Sequence, residues 1–179
     1  FTENWEWPVL KAWFDDLMER YYRWLSFQAD WTEQREASLK KLVFPYEYRE
    51  GQRELAAGVY RSILRKKRLF IQAPTGVGKT LSALFPALKA VGEGLGDKIF
   101  YLTARTITRM VAADTLDLLR EQKMRVKSLV LTAKEKLCIC QEVQCDPDHC
   151  PRAKGHYDRI NDAVYDPVSY THLTLPTNS

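Results

Sequence analysis

The sequence has no apolar run long enough to cross a membrane, and its first residues lack the basic and then apolar pattern of a secretion signal. We therefore expect a cytoplasmic protein. Cysteine is also scarce, since the chain has four and all of them lie between residues 138 and 150. In a cytoplasmic protein, such a grouping favours binding of a metal or an inorganic cluster over disulfide bonds.

Tryptophan is missing from residues 32–179, whereas the first 31 residues contain five. This contrast predicts that residues 1–42 belong to a different structural unit from the remainder. Apolar and aromatic side chains recur at helical spacing over residues 8–27, behind Pro8 at a first-turn position, so we expect an amphipathic helix there. A packed face explains its aromatic rings better than stacking on nucleic acid does.

Charge of neither sign dominates the chain, whose formal net charge is +4. The basic residues are nevertheless uneven, because residues 46–80 contain eight Lys or Arg against three Asp or Glu, with a basic run at 65–68. The solvated end of a helix explains this run better than a contact with nucleic acid. With 45% hydrophobic and 28% charged residues, the composition is that of an ordinary globular protein.

Residues 73–80, with the sequence APTGVGKT, are the most informative stretch. They follow an apolar run at 69–71 and precede apolar residues at helical spacing, a context that predicts a strand, a phosphate loop and a helix. Glycines let backbone N–H groups point at a phosphate, and the helix N-terminus adds the positive end of its dipole. We expect Lys79 to reach the outer phosphates of ATP and the Thr80 hydroxyl to hold Mg²⁺. The predicted nucleotide-binding residues of the loop are Thr75, Gly76, Val77, Gly78, Lys79 and Thr80.

Predicted strands and helices alternate through the middle of the chain. This alternation predicts an α/β fold built on a parallel sheet with right-handed crossovers. The predicted strands cover residues 69–71, 98–103 and 127–132. The predicted helices after the first cover about residues 49–67, 79–91 and 107–119.

Two further places are candidate ligand-binding positions. Gln52 lies about twenty residues before the phosphate loop, and its amide can both donate and accept, as reading the adenine edge requires. Without that spacing, Arg49 and Gln52 would be taken as exposed polar residues at a helix start. The C-terminal end of the second predicted strand carries Thr103, Arg105 and Thr106. Ligands bind at this edge of an open α/β sheet, and these residues suit the backbone phosphates of a single-stranded nucleic acid. A helix cap by Thr106 is the alternative.

The cysteines are candidate ligands of a soft metal or an iron–sulfur cluster, because thiolates at such short separations in a loop can converge on one centre. A zinc site would combine three of them with His149 or His156, although the C-x2-C spacing usual in zinc sites is absent. Four inert thiols are the third alternative. Spacing alone does not choose between zinc and iron. The cysteines are Cys138, Cys140, Cys145 and Cys150.

Five segments, taken in order, resemble the XPD/DinG-like branch of superfamily 2 DNA helicases. The resemblance covers about residues 43–166 and implies a P-loop NTPase (RecA-like) fold, incomplete here. It also implies an ATP-dependent DNA helicase that moves 5′ to 3′ on single-stranded or forked DNA in repair or replication. Its cofactors would be ATP, Mg²⁺ and a [4Fe–4S] cluster held within the first motor domain. The five segments are residues 48–52, 73–80, 101–106, 132–138 and 150–159.

The resemblance also assigns roles to single residues. It implies nucleotide binding by the loop at 75–80 with Gln52 near the base, and DNA contact around Arg105. It implies cluster ligation by Cys138, Cys145 and Cys150. The fourth ligand of the family usually lies further along the chain, and Cys140 is the alternative within it.

We expect four regions along the chain. Residues 1–42 would be the helical tail of a preceding, nuclease-like domain, and residues 43–137 the first half of the helicase motor domain. Residues 138–166 would be the cysteine-rich insertion. Residues 167–179 would be a non-native tail, since 168–177 resemble a translated sequencing adapter; a natural Ser/Thr-rich loop is the alternative.

The chain also departs from the family's full pattern. It begins without Met, and we expect it to be cut at its front. The second acidic motif and the second motor domain do not occur in it, so we expect this piece to bind nucleotide rather than hydrolyse it. Two other classes remain open, namely a different P-loop ATPase such as a kinase or transporter ATPase, and a non-enzymatic zinc-binding DNA module.

Overall fold

The computed structural model describes residues 4–104, 106–131, 138, 146–157 and 159. Its regular elements are helices, which follow one another along the chain. The predicted helices at 79–91 and 107–119 are confirmed to within one residue at each end, and the predicted helix at 49–67 is shorter than expected. The helices are α1 (Trp7–Lys40), α2 (Gln52–Leu64), α3 (Lys79–Gly92) and α4 (Thr106–Arg120).

Helix α1 is 34 residues long and extends well beyond the predicted end at residue 27. It begins with Pro8 in its first turn, where a missing N–H costs nothing, and it contains no glycine to stop it before Lys41. The apolar spacing weakens after residue 27, but propensity carries the helix on because Ala, Glu, Gln, Arg and Lys dominate the added turns. None of the described helices is both long and apolar enough to cross a membrane.

The aromatic face of α1 lies open over its first five turns. Trp13, Phe14 and Tyr21 are exposed by 49%, 51% and 50%. The opposite face carries ion pairs at helical spacing, such as Lys11 with Asp15 at 2.6 Å. The predicted burial of the aromatic face is therefore not seen in the described part of the chain.

The core of the described residues is built around α3. This helix is apolar on most of its surface, and it packs against α1, α2 and α4. The C-terminal end of α1 enters the same core through Leu39, which is fully buried. The domain boundary near residue 42 stays a prediction. The buried cluster consists of Leu39, Leu42, Leu81, Leu88, Val91, Leu119 and Met124.

The predicted parallel sheet is not formed by the described residues. The first two predicted strand segments lie between helices, and the third follows α4. As far as they are described, they make no strand ladder, and Leu131 makes an isolated β-bridge. Phe70, Phe100 and Leu102 are exposed by 93%, 78% and 89%. A strand in a parallel sheet is normally covered on both faces and paired on both sides. The tendency of these segments to be extended is a local property of the sequence, whereas pairing of strands depends on segments that are distant in the chain. The parallel sheet therefore stays a prediction.

Candidate nucleotide-binding site

The phosphate loop leads directly into α3. Gly78 is the residue before the helix and has φ 76° and ψ 38°, in the left-handed region. Gly76 has φ +88°, also in that region. A residue with a side chain rarely adopts this conformation, which explains why glycine stands at both positions. The backbone therefore turns sharply just before the helix N-terminus, as the sequence predicts.

The loop has backbone N–H groups that donate to no described residue. Among the described residues, the backbone N–H groups of Gly76, Val77 and Gly78 have no hydrogen-bond acceptor. They lie next to the N-terminus of α3, where the helix dipole favours negative charge. Free donors and a positive dipole end at one place form a site suited to a phosphate group.

Lys79 folds back over the loop. Its Nζ atom donates hydrogen bonds to the carbonyl oxygens of Ala73 at 3.0 Å and Pro74 at 2.7 Å. Thr80 follows in the first turn of α3 and is half-buried, whereas Thr75 is exposed. The ammonium group is thus held within the turn of the loop whose glycine N–H groups are free.

Gln52 is buried beneath the loop instead of standing exposed at a helix start. It opens α2 behind Gly51, which has φ 72°, and it is only 5% exposed. Its Oε1 atom accepts a hydrogen bond from the backbone N–H of Arg49 at 3.0 Å. Its Nε2 atom lies 2.7 Å from the point where a Cβ on Gly78 would stand. Gln52 therefore packs directly on the glycine that begins α3.

Arg49 is a functional candidate that sequence reasoning set aside as an exposed polar residue. Its side chain is exposed, as expected, but Nη1 donates to the carbonyl oxygen of Gly76 at 2.9 Å. The contact joins residues 27 positions apart in the sequence. In the sequence, the feature that could have marked Arg49 as a functional residue is its position three residues before Gln52.

A cleft of about 760 Å³ lies between the start of α2 and the phosphate loop. This volume is within the usual range for a small-molecule site. Residues 71–77 line one side of it, and Glu50 and Glu54 are among the residues on the other side. The carboxylates repel phosphate, so an anionic ligand would be held on the side of the loop.

The predicted DNA-binding residues fall at the edge of what the structure describes. Thr103 is described and exposed. Thr106 is the first residue of α4, while its side chain and all of Arg105 lie outside the described residues. Their role as phosphate contacts stays a prediction.

The cysteine segment is described in part. Cys138 and Cys150 are partly exposed and form no disulfide, and Cys140 and Cys145 lie outside the described residues. No group of three or more His, Cys, Asp or Glu side chains within the described ranges could hold a metal ion. The described residues therefore do not by themselves supply the ligand set of a cluster.

The two histidines of the zinc alternative have different surroundings. His149 Nδ1 lies 3.2 Å from Asp146 Oδ2, so its ring already has a carboxylate partner. The Nε2 atom of His156 is buried and has no hydrogen-bond partner among the described residues. Neither arrangement selects zinc or iron.

Comparison with known proteins places the chain in a family. Residues 53–151 match the DEAD/DEAH box helicase family. A protein of Methanocaldococcus jannaschii named as a probable ATP-dependent helicase is 50% identical over 49 residues, which cover 27% of this chain and 8% of that protein. The chain thus spans a small part of that relative's length, and no solved structure matches it. Because the family match covers more than half of the chain and includes the phosphate loop, the chain belongs to the DEAD/DEAH box helicases of superfamily 2. This family implies a P-loop, RecA-like fold.

Proposed function

We propose that this chain supplies the nucleotide-binding part of an ATP-dependent DNA helicase of the XPD/DinG-like branch. The observation that carries the proposal is the phosphate loop, in which three adjacent N–H groups have no acceptor among the described residues and Lys79 is folded over the turn. The family match supports a helicase-type ATPase that uses ATP and Mg²⁺ and binds nucleic acid. The branch, the direction of movement and the role in DNA repair or replication rest on the resemblance.

The mechanism begins with binding of the triphosphate at the N-terminus of α3. The free N–H groups of the loop donate to phosphate oxygens, and Lys79 exchanges the carbonyls of Ala73 and Pro74 for the outer phosphates. Thr80 would hold Mg²⁺, which neutralises charge on the phosphates when bound. Gln52 lies next to Gly78, so the segment assigned to the base and the segment assigned to the phosphates are in contact.

DNA binding is proposed for the start of α4. Thr103, Arg105 and Thr106 would contact the backbone phosphates of single-stranded or forked DNA, since hydroxyls, an Arg and a helix N-terminus are all phosphate-binding groups. Such contacts carry no base information, and they weaken as salt rises.

The cysteine segment is proposed to ligate a [4Fe–4S] cluster through Cys138, Cys145 and Cys150, with Cys140 as an alternative fourth ligand. The support is the resemblance, together with the observation that Cys138 and Cys150 form no disulfide. A zinc-binding DNA module would use the same cysteines, and metal analysis separates the two. A cytoplasmic location and the four regions predicted along the chain complete the proposal.

The experiment is an ATPase assay of the complete protein with and without single-stranded DNA. A DNA helicase should hydrolyse ATP faster when the strand is present, and it should unwind a substrate with a free 5′ tail. A rate of ATP hydrolysis that does not change when DNA is added would favour a different P-loop ATPase. Turnover stimulated only by RNA would keep the helicase family and reject DNA as the substrate.

A further inference from the structure

We propose that Arg49 is a positioning residue that sets the orientation of the phosphate loop at Gly76. The inference rests on the proposed function, because it concerns the same nucleotide site. It assigns a role in nucleotide binding to a residue outside the P-loop pattern.

The first step concerns how the loop is supported. A Cβ placed on Gly76 would meet no described atom within 4 Å, so the space beside its Cα is open. The Gly76 carbonyl oxygen, in contrast, accepts a hydrogen bond of 2.9 Å from Arg49 Nη1. A charged donor on a backbone carbonyl makes one of the stronger hydrogen bonds available to a protein.

The second step follows from the geometry of the peptide bond. The described residues contain no cis peptide, so the Gly76 carbonyl and the Val77 N–H lie on opposite sides of one planar unit. Fixing the carbonyl toward Arg49 therefore fixes the Val77 N–H in the opposite direction. That N–H is one of the free donors of the loop. Arg49 thus aims a phosphate-binding donor without touching the phosphate.

The third step is that Arg49 is itself held in place. Its backbone N–H donates to the Oε1 atom of the buried Gln52, whose Nε2 atom lies against Gly78. The start of α2 therefore holds the loop at both of its left-handed glycines, at Gly76 through Arg49 and at Gly78 through Gln52. Such double support restricts the loop before any ligand arrives, which lowers the entropy cost of binding.

The test measures nucleotide dissociation constants of the complete protein carrying Arg49→Ala or Arg49→Lys. The probes are ADP, a slowly hydrolysed ATP analogue and the matching GTP analogue. Arg53→Ala is the matched control, because Arg53 lies four residues further on, in the first turn of α2, is exposed, and makes no side-chain hydrogen bond or ion pair with described residues.

We expect Arg49→Ala to weaken ADP and the ATP analogue by the same factor, on the order of tenfold. The preference for adenine over guanine should not change, because the proposed role of Arg49 is to hold the loop at Gly76 and not to bind the base. Arg49→Lys should recover part of the affinity, since an ammonium can still donate one hydrogen bond. In steady-state kinetics KM should rise more than kcat falls. The Arg53→Ala protein should bind as the parent does.

Four results would overturn the inference. Unchanged binding would show that the contact has no role, and loss confined to the ATP analogue would make Arg49 a direct ligand of the terminal phosphate. A changed base preference would place Arg49 on the base. Equal losses of nucleotide affinity in Arg49→Ala and Arg49→Lys, with a lowered melting temperature in both, would make the role structural.

If Arg49→Ala does not fold, Arg49→Lys is measured alone, and we expect it to bind both adenine nucleotides more weakly than the parent protein does. Failure of the parent protein to bind ATP would instead reject the proposed function.

Discussion

At the scale of single residues, the two glycines of the phosphate loop have different reasons for being glycine. Both have positive φ, so any side chain there costs about 1–2 kcal/mol in conformational energy. A Cβ on Gly76 would enter open space, whereas a Cβ on Gly78 would lie 2.7 Å from Gln52 Nε2. Only Gly78 is therefore required by a close contact as well.

This difference predicts unequal effects of two otherwise identical substitutions. Gly76→Ala should weaken ADP binding, and Gly78→Ala should weaken it further by on the order of tenfold, because the buried amide must also move. Adding Gln52→Ala should reduce the gap between the two variants, which a double-mutant cycle measures directly. If both variants bind ADP equally, the close contact between Gly78 and Gln52 does not affect nucleotide binding.

Lys79 is the residue whose loss should cost most of the activity. Replacing it with Ala removes the positive charge directed at the transferring group, so ATPase and unwinding should fall by on the order of a hundredfold or more. Binding of single-stranded DNA should largely survive, because it depends on other groups such as Arg105.

The matched control for this substitution is Lys98→Ala. Lys98 is exposed and makes no side-chain hydrogen bond or ion pair with described residues. Steady-state ATPase rates and DNA binding isotherms of both variants form the measurement. An equal loss of ATPase in the two variants would mean that general charge, rather than position, matters.

At the scale of elements, α1 and α3 meet at one close contact. A Cβ on Gly92 would lie 2.7 Å from Leu39 Cβ and 3.2 Å from the backbone nitrogen of Lys40. Lys89 strengthens the same junction by donating from Nζ to the carbonyl oxygen of Lys40 at 2.7 Å. The end of α1 is thus joined to α3 by packing and by a hydrogen bond to its last turn.

The close contact predicts that Gly92→Ala destabilises the protein. The added methyl group must displace backbone atoms of α1, which costs about 1–3 kcal/mol and lowers the melting temperature by several degrees. Gly96→Ala is the control, because a Cβ there meets nothing within 4 Å. Thermal unfolding of the two variants tests this packing, and equal melting temperatures would show that α1 can move away freely.

Helix α1 also contacts the chain after α4. Lys127 Nζ lies 5.0 Å from the ring centre of Phe27 and 4.6 Å from that of Trp31. Just beyond the end of α1, the backbone of Val43 exchanges two hydrogen bonds of 3.0 Å with the side chain of Gln122. The second half of α1 thus holds the segment that contains the third predicted strand.

At the scale of the whole molecule, the cysteine segment is the feature that separates the proposed branch from other helicases. The complete protein, prepared without oxygen, should be brown and absorb near about 400 nm from thiolate-to-iron charge transfer. Iron analysis should give about four iron atoms per chain, as a [4Fe–4S] cluster requires. Stoichiometric zinc without iron in such a preparation would reject the cluster.

Cysteine variants separate the ligands from their neighbour. Cys138→Ser should lose most of the iron, since the resemblance makes Cys138 a ligand. Cys140→Ser is the matched control and should retain iron if the fourth ligand lies further along the chain. If Cys140→Ser loses iron and Cys138→Ser retains it, Cys140 is a ligand of the cluster and Cys138 is not.

The sequence by itself determined the phosphate loop and the helices that surround it, because glycine spacing and apolar periodicity are local properties of the chain. Helices α3 and α4 end within one residue of their predicted bounds for that reason. Only the tertiary structure decided that Gln52 is buried against Gly78 and that Arg49 supports Gly76, because these contacts join segments about 26 or 27 positions apart. Strand pairing is non-local in the same way, so an extended tendency in the sequence does not specify which neighbour a strand will find.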